Sequence, residues 1–116
     1  MNEGYYKIVN GKILTPTGIT EGGCLLVRDG VIAAVSETDM SATGAVEIDV
    51  AGMFVSPGFI DMHVHGGGGF DFMDGHEKAF LEIATTHARY GTTAMLPTTL
   101  TSSREELQTM LEVYKA

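Results

Sequence analysis

The chain is short of several things at once. It has one cysteine, Cys24, in 116 residues, a length that fits one small domain or part of a larger one. An internal disulfide is excluded, which agrees with a reducing compartment. Cys24 lies between Gly22-Gly23 and Leu25-Leu26, where a small buried strand residue is the plainer reading than a nucleophile. No apolar run approaches the roughly 18 residues of a membrane span. The opening residues, MNEGYYKIVNGK, lack the basic start and apolar middle of a secretory leader, so the cytoplasm is the expected compartment. Seven Lys and Arg stand against fifteen Asp and Glu, for a net charge of −8, and the cations nowhere cluster. A nucleic-acid partner needs a basic stripe and is set aside. A phosphorylated small molecule is not excluded, because a few local donors can hold one phosphate. There is no internal repeat, long linker or low-complexity tract beyond one run of glycines.

What is present falls into two compositional parts. Residues 1–55 read as short strands separated by turns. YYKIV (5–9) leads through Asn10-Gly11 into KIL (12–14), and Asn-Gly is a strong signal for a tight hairpin. CLLVR (24–28) faces VIAAV (31–35) across Asp29-Gly30, and VEIDV (46–50) faces MFVS (53–56) across Ala51-Gly52. Strands this short and evenly spaced predict a small β-sandwich or barrel-like sheet.

From Pro57 the rhythm changes. GFIDMHVH (58–65) reads as one strand and TTAMLPTT (92–99) as another. Between them, Phe80, Ile83, Ala84, His87 and Ala88 recur at helical spacing, with Gly91 where a C-terminal cap belongs. A second helix is expected over 103–116, with Ser103 and Glu106 in a capping-box pattern and Leu107, Met110, Leu111 and Tyr114 as its apolar stripe. The order β-α-β-α implies parallel strands with helices packed outside. Two such units cannot close a barrel, so residues 56–116 read as the opening of something larger.

Chemistry concentrates in FIDMHVHGGGG, residues 59–69. Side chains alternate along a strand, so His63 and His65 share a face, with Asp61 below them and Met62 and Val64 on the other side. The usual rise sets the two imidazoles about 6 to 7 Å apart, near enough to converge on one cation. Neutral imidazole suits Zn, Fe, Ni or Mn. A lone buried His is more often a hydrogen-bonded core group than a ligand, but two at this spacing behind PGFID are harder to explain that way. The glycines read as a flexible loop that leaves the space above a metal open. Phosphate cradling is the weaker reading, because GGGGFDFMDG lacks the Gly-Lys-Ser/Thr ending of a P-loop. Asp61 is expected to orient backbone or a neighbour, His76 to be solvated and His87 to be packed. Thr98 and Thr99 open onto the same mouth as His65, for a substrate contact or a structural hydrogen bond.

The stretch IDVAGMFVSPGFIDMHVH (48–65) resembles the segment that opens the metal-dependent amidohydrolase superfamily. HGGGGFDFMDG (65–75) and HARYGTTAMLPTTLTSS (87–103) narrow the resemblance to the N-acetylglucosamine-6-phosphate deacetylases. The implied fold is α/β: a small β-sandwich over 1–55, then the first two βα units of a (β/α)₈ TIM barrel over 56–116, the barrel incomplete in this chain. The implied activity is metal-dependent hydrolysis of the acetamide of N-acetylglucosamine 6-phosphate, giving glucosamine 6-phosphate and acetate. The resemblance implies a divalent metal ion, Zn, Fe or Mn, with His63 and His65 as ligands. Some members replace both histidines with other polar residues and use a single metal held further on. No catalytic residue is assigned within the chain, because the family's general base and remaining ligands belong to later strands. The implied partner is a small-molecule amino-sugar phosphate, and the full-length form is expected to be a homodimer. Two alternatives stay open: another amidohydrolase acting on a cyclic amide or ureide, and a non-catalytic truncated module.

Overall fold

The computed structural model describes residues 4–115. It is mixed α/β, with most of its ordered residues in strands, and it divides into two compact units between Pro57 and Gly58. No helix among the described residues is long and apolar enough to cross a membrane.

The first unit holds seven strands: β1 (Tyr5–Val9), β2 (Lys12–Thr15), β3 (Gly18–Glu21), β4 (Cys24–Arg28), β5 (Val31–Ser36), β6 (Val46–Asp49) and β7 (Phe54–Val55). One sheet has the order β5-β4-β1-β6 and the other β3-β2-β7. Ile13 of the second sheet and Cys24, Leu25 and Leu26 of the first are buried. A cavity of about 50 Å³ is lined by Ile13, Leu14 and Val55 on one side and Leu25, Ile32 and Val35 on the other. Cys24 is fully buried and reduced, in keeping with its reading as a small strand residue.

The Asp29-Gly30 hairpin forms as expected. β4 and β5 pair antiparallel with Arg28 opposite Val31, and both turn residues have positive φ, 51° and 81°. That is the backbone signature of a tight two-residue hairpin turn. The other two expected hairpins do not form. β1 and β2 lie in different sheets, as do β6 and β7. Instead β1 pairs parallel with β6 (Val9 opposite Asp49), and β2 pairs parallel with β7 (Lys12 opposite Phe54). The two chain segments turn together from one sheet into the other. The physical reason lies in the turn residues. Asn10 is left-handed at φ 57°, but Gly11 is not, so the two positive φ values of a tight hairpin turn are absent. Gly11 serves close approach: a Cβ there would stand 2.7 Å from a Val50 methyl. The paired corners are stitched by Gly52 N–H to Asn10 O (2.6 Å), Lys12 N–H to Met53 O (2.9 Å) and Asn10 Nδ2 to Asp49 Oδ2 (2.9 Å). β3, which pairs antiparallel with β2 across Pro16-Thr17, was not anticipated from the sequence.

The second unit contains β8 (Phe59–Val64), β9 (Gly66–Gly67), β10 (Phe70–Asp71), a 3₁₀ turn at Phe72–Asp74, α1 (Glu77–Ala88), β11 (Thr92–Pro97) and α2 (Arg104–Lys115). β8 and β11 pair in parallel, as the β-α-β order requires. The core gathers Val64, Phe72, Ile83 and Met110, flanked by Phe70, Met73, Phe80 and Met95. Each fully buried apolar side chain of this size stabilises the unit by roughly 1.5–3 kcal/mol. Ala84 and Ala88 of the expected α1 stripe stay exposed, because β8 and β11 alone give that part of the helix nothing to cover it. Ser103 and Glu106 form the capping box. The Ser103 hydroxyl accepts the Glu106 N–H (3.2 Å), and the Glu106 carboxylate accepts the Ser103 N–H (3.1 Å).

Candidate metal centre

β8 runs Phe59–Val64, so His63 is its penultimate residue and His65 leaves it by one step. Alternation brings both rings to one side. Their Nε2 atoms lie 3.2 Å apart, with the ring planes crossed at 80°. This is half the separation expected from strand rise alone. Rise fixes the backbone spacing, whereas the rings are free to lean together. Two nitrogens bonded to one tetrahedral ion at about 2.0–2.1 Å would stand about 3.3 Å apart, close to the 3.2 Å between these atoms. The donor chemistry and the spacing therefore both fit a divalent transition ion. Among the described residues, no group of three or more His, Cys, Asp or Glu is placed to hold a metal.

The neighbours fix the pair. Asp61, on the same face of the strand, accepts the His63 backbone N–H through Oδ1 at 3.1 Å. His65 Nδ1 lies 3.1 Å from the Thr98 carbonyl oxygen. A carbonyl can only accept, so Nδ1 carries a proton, and in the neutral ring the His65 Nε2 lone pair then faces His63. The His65 carbonyl in turn accepts the Phe72 N–H at 2.9 Å, anchoring the exit from the strand.

The glycine run is not the flexible loop expected. Gly66–Gly67 and Phe70–Asp71 form a two-stranded hairpin laid against α1. The glycines serve contact. A Cβ on Gly66 would meet the Phe70 carbonyl oxygen at 2.2 Å, one on Gly67 would meet His87 Nε2 at 2.9 Å, and one on Gly68 would meet Thr86 Oγ1 at 2.3 Å. His87 is packed, as expected, and its Nε2 donates to the Gly66 carbonyl (3.1 Å). His76 has a definite task instead of being merely solvated: it caps α1, with Nδ1 accepting the Ala79 N–H at 3.1 Å. Asp71 and Asp74 cap the 3₁₀ turn reciprocally. Of the two threonines at the β11 end, Thr98 makes structural hydrogen bonds to β8. The sequence signal for that role is its position directly after Pro97, where a strand loses a donor.

No family model matches the chain. It is 36% identical over 101 residues to an N-acetylgalactosamine-6-phosphate deacetylase from Escherichia coli O157:H7, covering 87% of this chain and 26% of that protein. It is 33% identical over 96 residues to an N-acetylglucosamine-6-phosphate deacetylase from Lysinibacillus sphaericus, covering 83% of this chain and 24% of that one. The crystal structure of N-acetylglucosamine-6-phosphate deacetylase from Pasteurella multocida superposes with a TM-score of 0.85 at 31% identity, over 96% of this chain and 30% of that one. The chain thus spans about a quarter to a third of the length of the relatives it matches. Sequence and fold together show that its homologues include N-acetylglucosamine-6-phosphate and N-acetylgalactosamine-6-phosphate deacetylases, each matched over about a quarter to a third of its length.

Proposed function

We propose that this chain is the N-terminal portion of an enzyme that hydrolyses the acetamide of N-acetylglucosamine 6-phosphate to glucosamine 6-phosphate and acetate. In this reading the first unit is part of a composite β-sandwich, supported by the apolar cavity between its two sheets. Residues 56–116 are the first two βα units of a (β/α)₈ barrel, supported by the parallel β8–β11 pair. His63 and His65 then sit at the C-terminal end of the first barrel strand, where such barrels carry their chemistry. The observation that carries the proposal is the 3.2 Å approach of the two Nε2 atoms in a chain similar to such deacetylases.

His63 and His65 would hold a divalent ion, Zn, Fe or Mn. Such an ion polarises an amide carbonyl and makes a water acidic enough to supply the nucleophile near neutral pH. The chain's own part is to present two imidazole nitrogens side by side at a strand end. The aspartates flanking the pair in sequence already accept main-chain hydrogen bonds. Asp61 is bound to the His63 N–H, and Asp71 and Asp74 are bound into their turn. The base is therefore assigned to the remainder of the enzyme, and the 116-residue chain alone is expected to be inactive.

The test is acetate release from N-acetylglucosamine 6-phosphate with Zn²⁺, Fe²⁺ or Mn²⁺, using this chain alone and then with a complementing C-terminal portion. Turnover is expected only in the second case, together with lower metal content when His63→Ala and His65→Ala are combined. Turnover of a cyclic ureide with none of the amino sugar would replace this reading with the alternative amidohydrolase.

A further inference from the structure

We propose that Thr98 is the positioning residue for the histidine pair. This rests on the reading of His63 and His65 as metal donors and adds the group that makes one of them competent. Four hydrogen bonds carry it. The Thr98 N–H donates to Val64 O at 2.8 Å. The Val64 N–H donates to Thr98 Oγ1 at 3.1 Å, and that hydroxyl donates onward to Leu96 O at 3.2 Å. The Thr98 carbonyl accepts from His65 Nδ1 at 3.1 Å.

These bonds form one device. Val64 is the residue between the two histidines, and Thr98 takes both of its main-chain groups. The register of the parallel pair is irregular between Met95 and Pro97. Pro97 has no N–H to give the ladder. The Thr98 hydroxyl is interposed at this break, accepting the Val64 N–H and donating its own O–H to the Leu96 carbonyl. The inserted hydroxyl holds the chain after Pro97 against the strand end, which aims the Thr98 carbonyl at the His65 ring. The carbonyl then selects the Nδ1–H tautomer and leaves Nε2 as a lone pair directed at His63. Partners of this kind, beyond the donors themselves, typically change metal affinity 10–100-fold.

Thr98→Val removes the hydroxyl at nearly constant shape, whereas Thr98→Ser keeps it. Two measurements on the purified protein are needed. Long-range ¹⁵N–¹H spectra without metal report which His65 nitrogen is protonated, and competition with a chromophoric chelator reports affinity for Zn²⁺ alone. The wild type is expected to show His65 protonated at Nδ1. Thr98→Val should shift His65 toward the Nε2–H form and weaken zinc binding by about 10–100-fold. Thr98→Ser should behave close to wild type in both. A wild-type His65 protonated at Nε2 overturns the proposal without any variant, so a Thr98→Val protein that fails to fold does not shield it. Equal tautomer and affinity in Thr98→Val, or a Thr98→Ser protein as weak as Thr98→Val, also overturns it. If the wild type retains no zinc, or His63→Ala retains as much as wild type, the metal reading fails. The tautomer spectra still decide the role of Thr98 separately.

Discussion

The Nε2 of His87 donates to the Gly66 carbonyl oxygen across 3.1 Å, and the same nitrogen stands 2.9 Å from where a Cβ on Gly67 would lie. The glycine hairpin that follows His65 is thus seated on α1 by contact. This predicts a graded response to alanine. Gly69→Ala meets no neighbour and costs only its left-handed φ of 88°, about 1–2 kcal/mol. Gly66→Ala and Gly68→Ala should cost more, because a backbone oxygen at 2.2 Å and a threonine hydroxyl at 2.3 Å must be displaced. Gly67→Ala should push the His87 ring aside and break its bond to Gly66. Urea midpoints will check the order. Equal midpoints for Gly67→Ala, Gly68→Ala and Gly69→Ala would mean that the hairpin is not packed on the helix.

The paired corners of the first unit depend on Asp49. Its Oδ1 accepts the Ala51 N–H at 2.8 Å and its Oδ2 accepts the Asn10 amide at 2.9 Å. The Ala51 N–H first, and Asn10 second, hold this carboxyl below the usual carboxylate range. A folded-state pKa that is depressed gives stability that is complete above the unfolded value of about 3.9 and is lost as pH falls through the folded value. Asp49→Asn, with no carboxylate to protonate, should therefore unfold with a smaller change in midpoint between pH 6 and pH 3 than wild type. An unchanged pH profile would show that the corner bonds carry no stability.

The start of α2 offers a second acid-sensitive point. Glu106 is held below the usual carboxylate range by the Ser102 hydroxyl first and then by the Ser103 N–H and hydroxyl. By the same sign, its support is complete above the ordinary glutamate pKa and fades on acidification. Ser103→Ala removes the cap and should cost about 1 kcal/mol, read as a lower melting temperature and reduced helical circular dichroism. Glu106→Gln should flatten the acid dependence while keeping an acceptor for the Ser103 N–H.

Local chemistry made much of this legible from sequence. The Asp29-Gly30 turn, the Ser103–Glu106 box and the shared face of His63 and His65 each depend on residues within a few positions of one another. The misreadings depend on distant partners. Whether Asn10-Gly11 folds back or swerves into a new sheet is decided by β6, whose Asp49 pairs with Val9 forty positions away. The glycine run reads as mobile until Thr86 and His87 of α1 are seen against it. Thr98 reads as an ordinary strand end because the group it serves, His65 Nδ1, lies 33 residues earlier. The family resemblance in the motifs supplied what periodicity could not, the proposal that the histidine pair holds a metal.

The tautomers make a final prediction. The Thr98 carbonyl keeps a His65 proton on Nδ1, so in the neutral ring the His65 Nε2 can only accept. The 3.2 Å contact between the two Nε2 atoms then requires His63 to donate from Nε2 in the metal-free protein. A metal ion cannot share that space with a proton. Coordination by both Nε2 atoms demands that His63 carry its proton on Nδ1 instead. Zinc should therefore move the proton of His63 and leave that of His65 where it is. Long-range ¹⁵N–¹H spectra recorded before and after one equivalent of Zn²⁺ will show this as an exchange of nitrogen shifts confined to one residue. His65→Ala should remove the acceptor, free His63 to sample both tautomers without metal, and leave zinc a single nitrogen on this strand. If zinc binds and both histidines keep their starting tautomers, the ion is held elsewhere, and the pair is a hydrogen-bonded strand end with no metal of its own.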